Sequence, residues 1–281
     1  MEPQESPVTI PALQQMKRDG RKIAGVVAWD YQMAQIVDRV GVDIVSVGDS
    51  VGVNLWGRAN PLDVTLDEML LVCGAVRRGV KRALVSCDFP FGPLQEGTAS
   101  AVKAAVLLTK EGGADMVKLD GAVDFPDAVR AIVRAGIPVF AQFGITPQTA
   151  ERHGIPAEAA LKPGAQVPAE MRARLVEEAR CLEAAGASLL DFTNSGPLVG
   201  AAVAAAVSIP VVGGLGGGPW LDGRMRMVHA AIGYAASNLD SQTENYANVA
   251  KNTFEAVSAY VEDVRAGRPI KGGGVAVRRA E

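Results

Sequence analysis

The chain has 281 residues, 48% of them hydrophobic, which excludes a disordered protein and suits one α/β barrel with a substantial core. Its 28 basic and 31 acidic residues give a net charge of −3, so no basic field is available for nucleic acid. The three cysteines form no C-x-x-C pair, the N-terminus lacks the apolar core of a signal peptide, and no apolar run has the length of a membrane span, so we expect a cytoplasmic protein with no membrane partner.

Short apolar runs alternate with amphipathic segments along the whole chain. Helical spacing predicts a first helix over 9–20, after which a strand at 22–28, a helix at 32–40 and a strand at 44–47 form a βαβ unit. Thr65 and Glu68 have the spacing of a capping box for the next helix. The alternation continues with strands at 82–88, 114–120, 137–144, 188–193 and 209–214 and with helices at 98–113, 126–135, 168–186 and 197–207.

The C-terminal part is less regular than the rest. We place the closing strand near 230–235, a loop-rich insertion at 145–165 and a C-terminal helix at 244–267. No linker interrupts the pattern. The sequence therefore predicts a single catalytic domain over residues 1–281, an α/β TIM (β/α)8 barrel with an N-terminal helix and a C-terminal helical extension.

Three of the predicted strands end on an aspartate. Asp49 follows the second strand and is itself followed by Ser50, while Asp88 and Asp120 end the next two strands. Lys118 lies two residues before Asp120. Because all strands of a parallel barrel end on one face, these side chains are expected at one site. Each aspartate alone also suits a helix N-cap or a turn, and the lysine also suits the surface.

Carboxylate oxygens in such a cluster point to a hard cation. Two or three aspartates with water fit Mg²⁺ better than zinc or copper. Such an ion keeps positions open for a 2-oxo acid, which chelates through its carboxylate and ketone. Polarisation of the ketone acidifies the neighbouring C–H and stabilises an enolate, and Lys118 would add a second positive charge there.

Seven segments, in the same order over about residues 23–265, resemble the ketopantoate (3-methyl-2-oxobutanoate) hydroxymethyltransferase family of pantothenate synthesis, which belongs to the phosphoenolpyruvate mutase and isocitrate lyase superfamily. The segments are Trp29-Asp-Tyr, Val47-Gly-Asp-Ser-Val-Gly, Ala75-Val-Arg-Arg-Gly, Cys87-Asp-Phe-Pro-Phe, Met116-Val-Lys-Leu-Asp-Gly, Phe143-Gly-Ile-Thr-Pro-Gln and Leu182-Glu-Ala-Ala-Gly-Ala. The resemblance implies a TIM barrel, Mg²⁺, the enolate of a branched 2-oxo acid, 5,10-methylenetetrahydrofolate as co-substrate, and a homo-oligomer, since the family tends to form decamers.

The resemblance also implies roles for individual residues. Asp49 and Asp88 match the family's metal and substrate positions, and Asp120 matches the site of its third metal-associated carboxylate. Ser50 and Lys118 match its substrate contacts. The site is therefore expected to bind both the metal and the 2-oxo acid through these five residues.

Three positions depart from the family's pattern. The family has glutamate where this chain has Asp120, histidine at the substrate-contacting position Gln142, and the glutamate proposed as catalytic base at Thr193. A threonine hydroxyl is not a general base near neutral pH without a partner. Asp191, on the same face one layer deeper, is a substitute base or a buried carboxylate hydrogen-bonded inside the barrel, and the sequence leaves both interpretations open.

The sequence thus predicts an enzyme, a Mg²⁺-dependent hydroxymethyltransferase. It would transfer a one-carbon unit from methylenetetrahydrofolate or formaldehyde to the enolate of a 2-oxo acid. One alternative is a carbon–carbon lyase or aldolase of the same superfamily with another 2-oxo acid in a specialised pathway, suggested by the replaced glutamate and histidine. The other is a catalytically inactive barrel that serves as a binding subunit.

Overall fold

A computed structural model describes residues 6–146, 148–149, 154, 166–214 and 217–272. Eight parallel strands pair in chain order, and β1 also pairs with β8, so the sheet closes into a barrel. The strands are β1 (Ile23–Val27), β2 (Ile44–Val47), β3 (Leu84–Asp88), β4 (Met116–Leu119), β5 (Val139–Gly144), β6 (Leu189–Thr193), β7 (Val211–Gly213) and β8 (Gly223–Met227). The predicted TIM barrel is confirmed.

Helices follow most of the strands. The α-helices are α1 (Ile10–Arg18), α2 (Tyr31–Val40), α3 (Val51–Asn54), α4 (Leu66–Gly79), α5 (Thr98–Lys110), α6 (Pro126–Arg134), α7 (Arg172–Ala184), α8 (Pro197–Ala206), α9 (Val228–Ala231) and α10 (Val249–Arg265). The capping box predicted for α4 is present, because the Thr65 hydroxyl accepts from the Glu68 N–H and the Glu68 carboxylate accepts from the Thr65 N–H.

The floor of the barrel is apolar. One inward-facing residue from each strand forms a buried layer: Ile23, Ile44, Leu84, Met116, Phe140, Leu189, Val212 and Met225. Leu13 and Met16 of α1 pack against this layer. The N-terminal helix therefore closes the end of the barrel opposite the strand C-termini.

The next layer towards the mouth is polar in five consecutive strands. Side chains alternate along a strand, so the residues two positions beyond the floor also face inward. In β2 to β6 these residues are Ser46, Ser86, Lys118, Gln142 and Asp191. Barrel interiors are usually filled by branched apolar side chains, so this layer marks where packing gives way to a functional site.

The closing strand is not where we expected it. The prediction near 230–235 was wrong: β8 spans Gly223–Met227 and Val228–Ala231 is a short helix. Arg224 and Arg226 are exposed on β8, so its apolar residues are interrupted by charges and no continuous apolar run marks the strand.

Other boundaries moved by a few residues. The segment predicted as one helix over 168–186 begins with a 3-10 turn, Ala169–Met171, before α7. The C-terminal helix starts at Val249 with Asn248 as its N-cap. The insertion predicted at 145–165 lies largely outside the described residues.

The chain divides into two compact units, Met1–Met227 and Val228–Glu281. The first unit contains the barrel, and the second contains α9 and α10. The single domain over residues 1–281 stays a prediction. Among the described residues, no helix is both long enough and apolar enough to cross a membrane.

Candidate active site

Asp49 and Asp88 lie next to each other at the mouth of the barrel. The Asp49 backbone N–H donates to the Asp88 carboxylate, and the Asp49 carboxylate accepts from Gln148 Nε2 at 3.3 Å. Glycine at position 48 leaves room for the turn after β2, because a Cβ there would lie 2.7 Å from Ser50 Oγ and 3.0 Å from Val27 Cγ1. The sequence Gly-Asp-Ser after β2 therefore brings its carboxylate against the end of β3.

Both oxygens of Asp88 have partners in the polar layer. Ser46 Oγ donates to Asp88 Oδ1 at 3.4 Å and lies 3.0 Å from Ser86 Oγ. Lys118 Nζ donates to Asp88 Oδ2 at 3.4 Å. The orientation of Asp88 is thus set from two neighbouring strands, β2 and β4.

Lys118 lies between two carboxylates. Its Nζ is 3.4 Å from Asp88 Oδ2 and 3.2 Å from Asp191 Oδ2, and it lies 5.8 Å from the centre of the Phe140 ring. The three charged side chains are only 11%, 13% and 6% exposed, in the order Lys118, Asp88, Asp191. Asp191 Oδ1 also accepts from the Gly214 N–H at 3.3 Å, which ties this pair to the end of β7.

Asp120 adds a carboxylate with an unused oxygen. Its Oδ1 is buried and has no hydrogen-bond partner among the residues that the structure describes. A buried oxygen of this kind is costly unless another group, a water or an ion satisfies it.

Burial and mutual repulsion raise the pKa values of these acids. Burial, with the charges of Asp88 and Asp120 as additional causes, raises the pKa of Asp49 to about 7. Burial raises the pKa of Asp120 to about 6, with Thr146 and Lys118 acting in the opposite direction. Burial also raises the pKa of Asp88 against the opposing effect of Lys118.

One lysine does not balance this cluster. Burial acts to lower the pKa of Lys118, but the surrounding carboxylates, first Asp88 and Asp191, raise it above its usual range. Lys118 therefore stays a cation. Its single positive charge faces four carboxyl groups, those of Asp49, Asp88, Asp120 and Asp191. A second positive charge at the mouth would relieve the repulsion among them.

The residues fit a loosely held Mg²⁺ ion better than a closed metal cage. Among the described residues, no three His, Cys, Asp or Glu side chains are arranged to hold a metal ion. Mg²⁺ commonly uses one or two carboxylates and keeps several waters. The adjacent Asp49 and Asp88 and the unpartnered oxygen of Asp120 match that requirement.

The neighbouring wall of the mouth, from β5 and β6, is neutral. Gln142 Nε2 donates to Thr193 Oγ1 at 3.0 Å, and both side chains are buried. Asn194, next in the chain, has a positive φ of 57° and its Nδ2 donates to the Ile145 carbonyl at 2.9 Å. Thr193 and Gln142 thus satisfy each other where the resemblance implied a glutamate and a histidine.

Most of the predicted site residues come together. Asp49, Asp88, Lys118, Asp120 and Asp191 form one electrostatic cluster, Gln142 and Thr193 pair beside it, and Ser50 lies over Gly48. The sequence interpretation missed Ser46, Ser86 and Gln148. A signal for the two serines was present, since each interrupts an apolar strand, Ser46 three residues before Asp49 and Ser86 two residues before Asp88.

Comparison with known proteins identifies the family. The family model described as ketopantoate hydroxymethyltransferase matches residues 7–269. The chain belongs to this family. The 3-methyl-2-oxobutanoate hydroxymethyltransferase of Cyanothece sp. is 39% identical over 259 residues, covering 92% of this chain and 96% of that protein. The enzyme of the same name from Pelobacter propionicus is 35% identical over 262 residues, covering 92% and 94%.

Solved structures agree on the fold. A 2,3-dimethylmalate lyase of the phosphoenolpyruvate mutase and isocitrate lyase superfamily has a TM-score of 0.59 at 13% identity, covering 92% of this chain and 87% of that one. A phosphonopyruvate hydrolase has a TM-score of 0.58 at 14% identity, covering 93% and 88%. The predicted membership of the ketopantoate hydroxymethyltransferase family and the predicted transferase class are confirmed.

Proposed function

We propose that this chain catalyses the Mg²⁺-dependent transfer of a hydroxymethyl group to the enolate of a 2-oxo acid. The observation that carries the proposal is the cluster of four acids around Lys118 at the barrel mouth, two of them buried and two half-buried, in a chain of the ketopantoate hydroxymethyltransferase family. The relatives are named for 3-methyl-2-oxobutanoate, so this branched acid is the first substrate to test.

The acidic residues would hold the cation. Asp49 and Asp88 would bind Mg²⁺ directly, and Asp120 would bind it through a water. When bound, the ion supplies Lewis-acid polarisation of the substrate ketone and charge for the enolate oxygen. Ser46 and the Asp49 N–H keep the Asp88 carboxylate oriented for this purpose.

Other residues would bind and orient the 2-oxo acid. Lys118 and Ser50 would contact its oxygens, and Gln142 would line the neutral wall. Removal of the C3 proton falls to a carboxylate, because neither Thr193 nor Gln142 accepts a proton near neutral pH. Both oxygens of Asp191 are engaged inside the protein, Oδ2 by the Lys118 ammonium at 3.2 Å and Oδ1 by the Gly214 N–H at 3.3 Å, which argues against its predicted role as the base.

The one-carbon donor would be 5,10-methylenetetrahydrofolate or formaldehyde. We also propose a cytoplasmic homo-oligomer, a decamer by resemblance. In support, the outward faces of α2 and α4 expose Ile36, Val40 and Leu71 to 56%, 70% and 73%, which is a large apolar exposure for two adjacent helices.

A metal-dependent hydrogen exchange assay tests the proposal. We expect 3-methyl-2-oxobutanoate to take up deuterium at C3 with Mg²⁺ and not with a chelator, and to give a hydroxymethylated product when a donor is added. Asp88→Asn, which keeps the shape but removes an anionic ligand, should lower the exchange rate by at least about 100-fold.

Asp127→Asn is the matched control, since Asp127 is an exposed partner of Arg130 on α6. Full activity and unchanged metal affinity in Asp88→Asn would show that the site is assigned wrongly.

A carbon–carbon lyase or aldolase of the same superfamily is the second candidate. The hydrogen-bonded Gln142–Thr193 pair favours it, because this wall differs from the family's pattern. Exchange without product from any one-carbon donor would favour the lyase or aldolase. No exchange with a panel of 2-oxo acids, in folded protein that binds Mg²⁺, would favour an inactive binding subunit.

A further inference from the structure

The ion pair between Lys118 and Asp191 is not needed to hold the cation or to contact the substrate. Lys118 already has a carboxylate partner in Asp88, yet its Nζ lies slightly closer to Asp191, at 3.2 Å against 3.4 Å. Asp191 comes from β6, on the opposite side of Lys118 from β3 in the strand order. A second buried acid so close to a metal site requires a physical reason.

Asp191 is a fixed partner. Its side chain is 6% exposed, the least of the three, and its Oδ1 accepts the Gly214 N–H at 3.3 Å. Both of its oxygens are therefore engaged inside the protein, one by the backbone after β7 and one by Lys118. Asp191 faces inward one layer below Thr193, so it lies beneath the mouth.

Because Asp191 is present, Lys118 forms ion pairs with two carboxylates and not with Asp88 alone. With Asp88 as its only carboxylate, Lys118 would form a closed one-to-one pair and would compete with a divalent cation for the same oxygens. With Asp191 present, the lysine charge is balanced from below. Asp88 then shares the ammonium with Asp191 and stays at the mouth, where it accepts the Asp49 N–H.

We propose that Asp191 is a positioning residue, which holds Lys118 from below and so weakens the hold of Lys118 on Asp88, leaving the Asp88 carboxylate able to bind a divalent cation. The inference rests on the proposed function only in placing the cation at Asp49 and Asp88. It assigns Asp191 no proton transfer, since its carboxylate is held by an ammonium and a backbone N–H.

Direct binding of Mg²⁺ measured by calorimetry, and of Mn²⁺ by electron paramagnetic resonance, tests this role without any substrate. We expect Asp191→Asn to raise the dissociation constant of the metal by about 10- to 100-fold, the usual effect of losing a residue that orients a ligand. Asp191→Glu, which keeps the charge, should stay within about threefold of wild type. Ser46→Ala, which removes a neutral contact with Asp88, should change the affinity less than Asp191→Asn.

Exchange of the C3 hydrogen separates positioning from base catalysis. If Asp191 acts through Lys118, the Asp191→Asn variant should recover most of its exchange rate at saturating Mg²⁺. Exchange that stays about 100-fold low at saturating metal would overturn the inference, because it would make Asp191 the base.

The remaining outcomes separate the role of Asp191 from the proposed function of the chain. Wild-type affinity for metal in Asp191→Asn would overturn this inference while leaving the proposed function intact. A wild-type protein that binds neither metal would overturn both. If Asp191→Asn does not fold, a metal affinity at least tenfold weaker in Asp191→Glu with an unchanged melting temperature would count against the charge-balancing role.

Discussion

A carboxylate with a raised pKa binds a cation only after losing a proton that the folded protein holds tightly. Asp49 and Asp120 are in this position, because burial raises their pKa values from the ordinary 3.8 to about 7 and about 6. Protonation therefore stabilises the metal-free fold. This stabilisation is complete below about pH 4 and is lost as the pH rises through 6 and 7.

The metal-free protein should accordingly lose stability between pH 5 and pH 8. We expect its melting temperature to fall over this interval and the increase caused by added Mg²⁺ to grow over the same interval, because the ion competes with protons for the same oxygens. Thermal unfolding at several pH values, with and without the metal, measures both trends. Asp49→Asn should flatten the metal-free curve, and an unchanged slope in that variant would contradict the assignment.

The sequence predicted the acidic residues of the cluster better than their contacts. The sequence alone shows the aspartates at strand ends and Lys118 within an apolar strand. Because all strand C-termini lie on one face of the barrel, their meeting at one site could be predicted. The pairing of Lys118 with Asp191 depends on the lateral register of strands that are not neighbours. No local pattern contains that register, and so the sequence left the role of Asp191 open.

At the scale of the elements, α1 closes the barrel floor through two side chains. Leu13 is 1% exposed within the layer formed by the eight strands. We expect Leu13→Ala to lower the free energy of unfolding by about 2–5 kcal/mol through lost burial and a cavity. Gln14→Ala on the same helix should change it by less than about 0.5 kcal/mol.

Chemical denaturation measures both variants, and metal titration adds a second readout. The floor lies two layers below Asp88, so the folded Leu13→Ala protein should bind Mg²⁺ as wild type does. A loss of metal affinity without a loss of stability would mean that α1 acts on the mouth and not on the floor.

Elements with strong local signals were predicted within a few residues. The four residues of β2 and the capping box of α4 were both predicted as the structure has them. β8 was missed because its outward positions carry Arg224 and Arg226, and its stability comes from pairing with β1 and β7. A strand of this kind is defined by its neighbours, which periodicity alone does not reveal.

At the scale of the molecule, closure of the barrel depends on the seam between β1 and β8. A Cβ at Gly223 would lie 2.3 Å from the Ile23 carbonyl oxygen, so any side chain there forces the two strands apart. We expect Gly223→Ala to destabilise the fold by about 1–3 kcal/mol or more. The backbone carbonyl cannot move away as the end of a flexible side chain would.

Gly74→Ala provides the matched control for this prediction. Gly74 lies inside α4, and a Cβ there would meet only Arg78 Nη1, at 3.4 Å. Replacement of a helical glycine by alanine should stabilise the protein by about 0.5–1 kcal/mol. Urea unfolding of the two variants would contradict the closure argument if Gly223→Ala were as stable as Gly74→Ala.

The four acids come from four separate strands, and this determines at which stage of folding a cation could first bind. The acids proposed as metal ligands, Asp49, Asp88 and Asp120, follow or end the consecutive strands β2, β3 and β4, so they meet only after these three strands have paired. The proposed ion would then bind after this part of the barrel has formed and would not act as a template for its assembly. In a cell short of magnesium, newly made chains would still reach their native shape, with protons occupying the carboxylates until the metal displaces them.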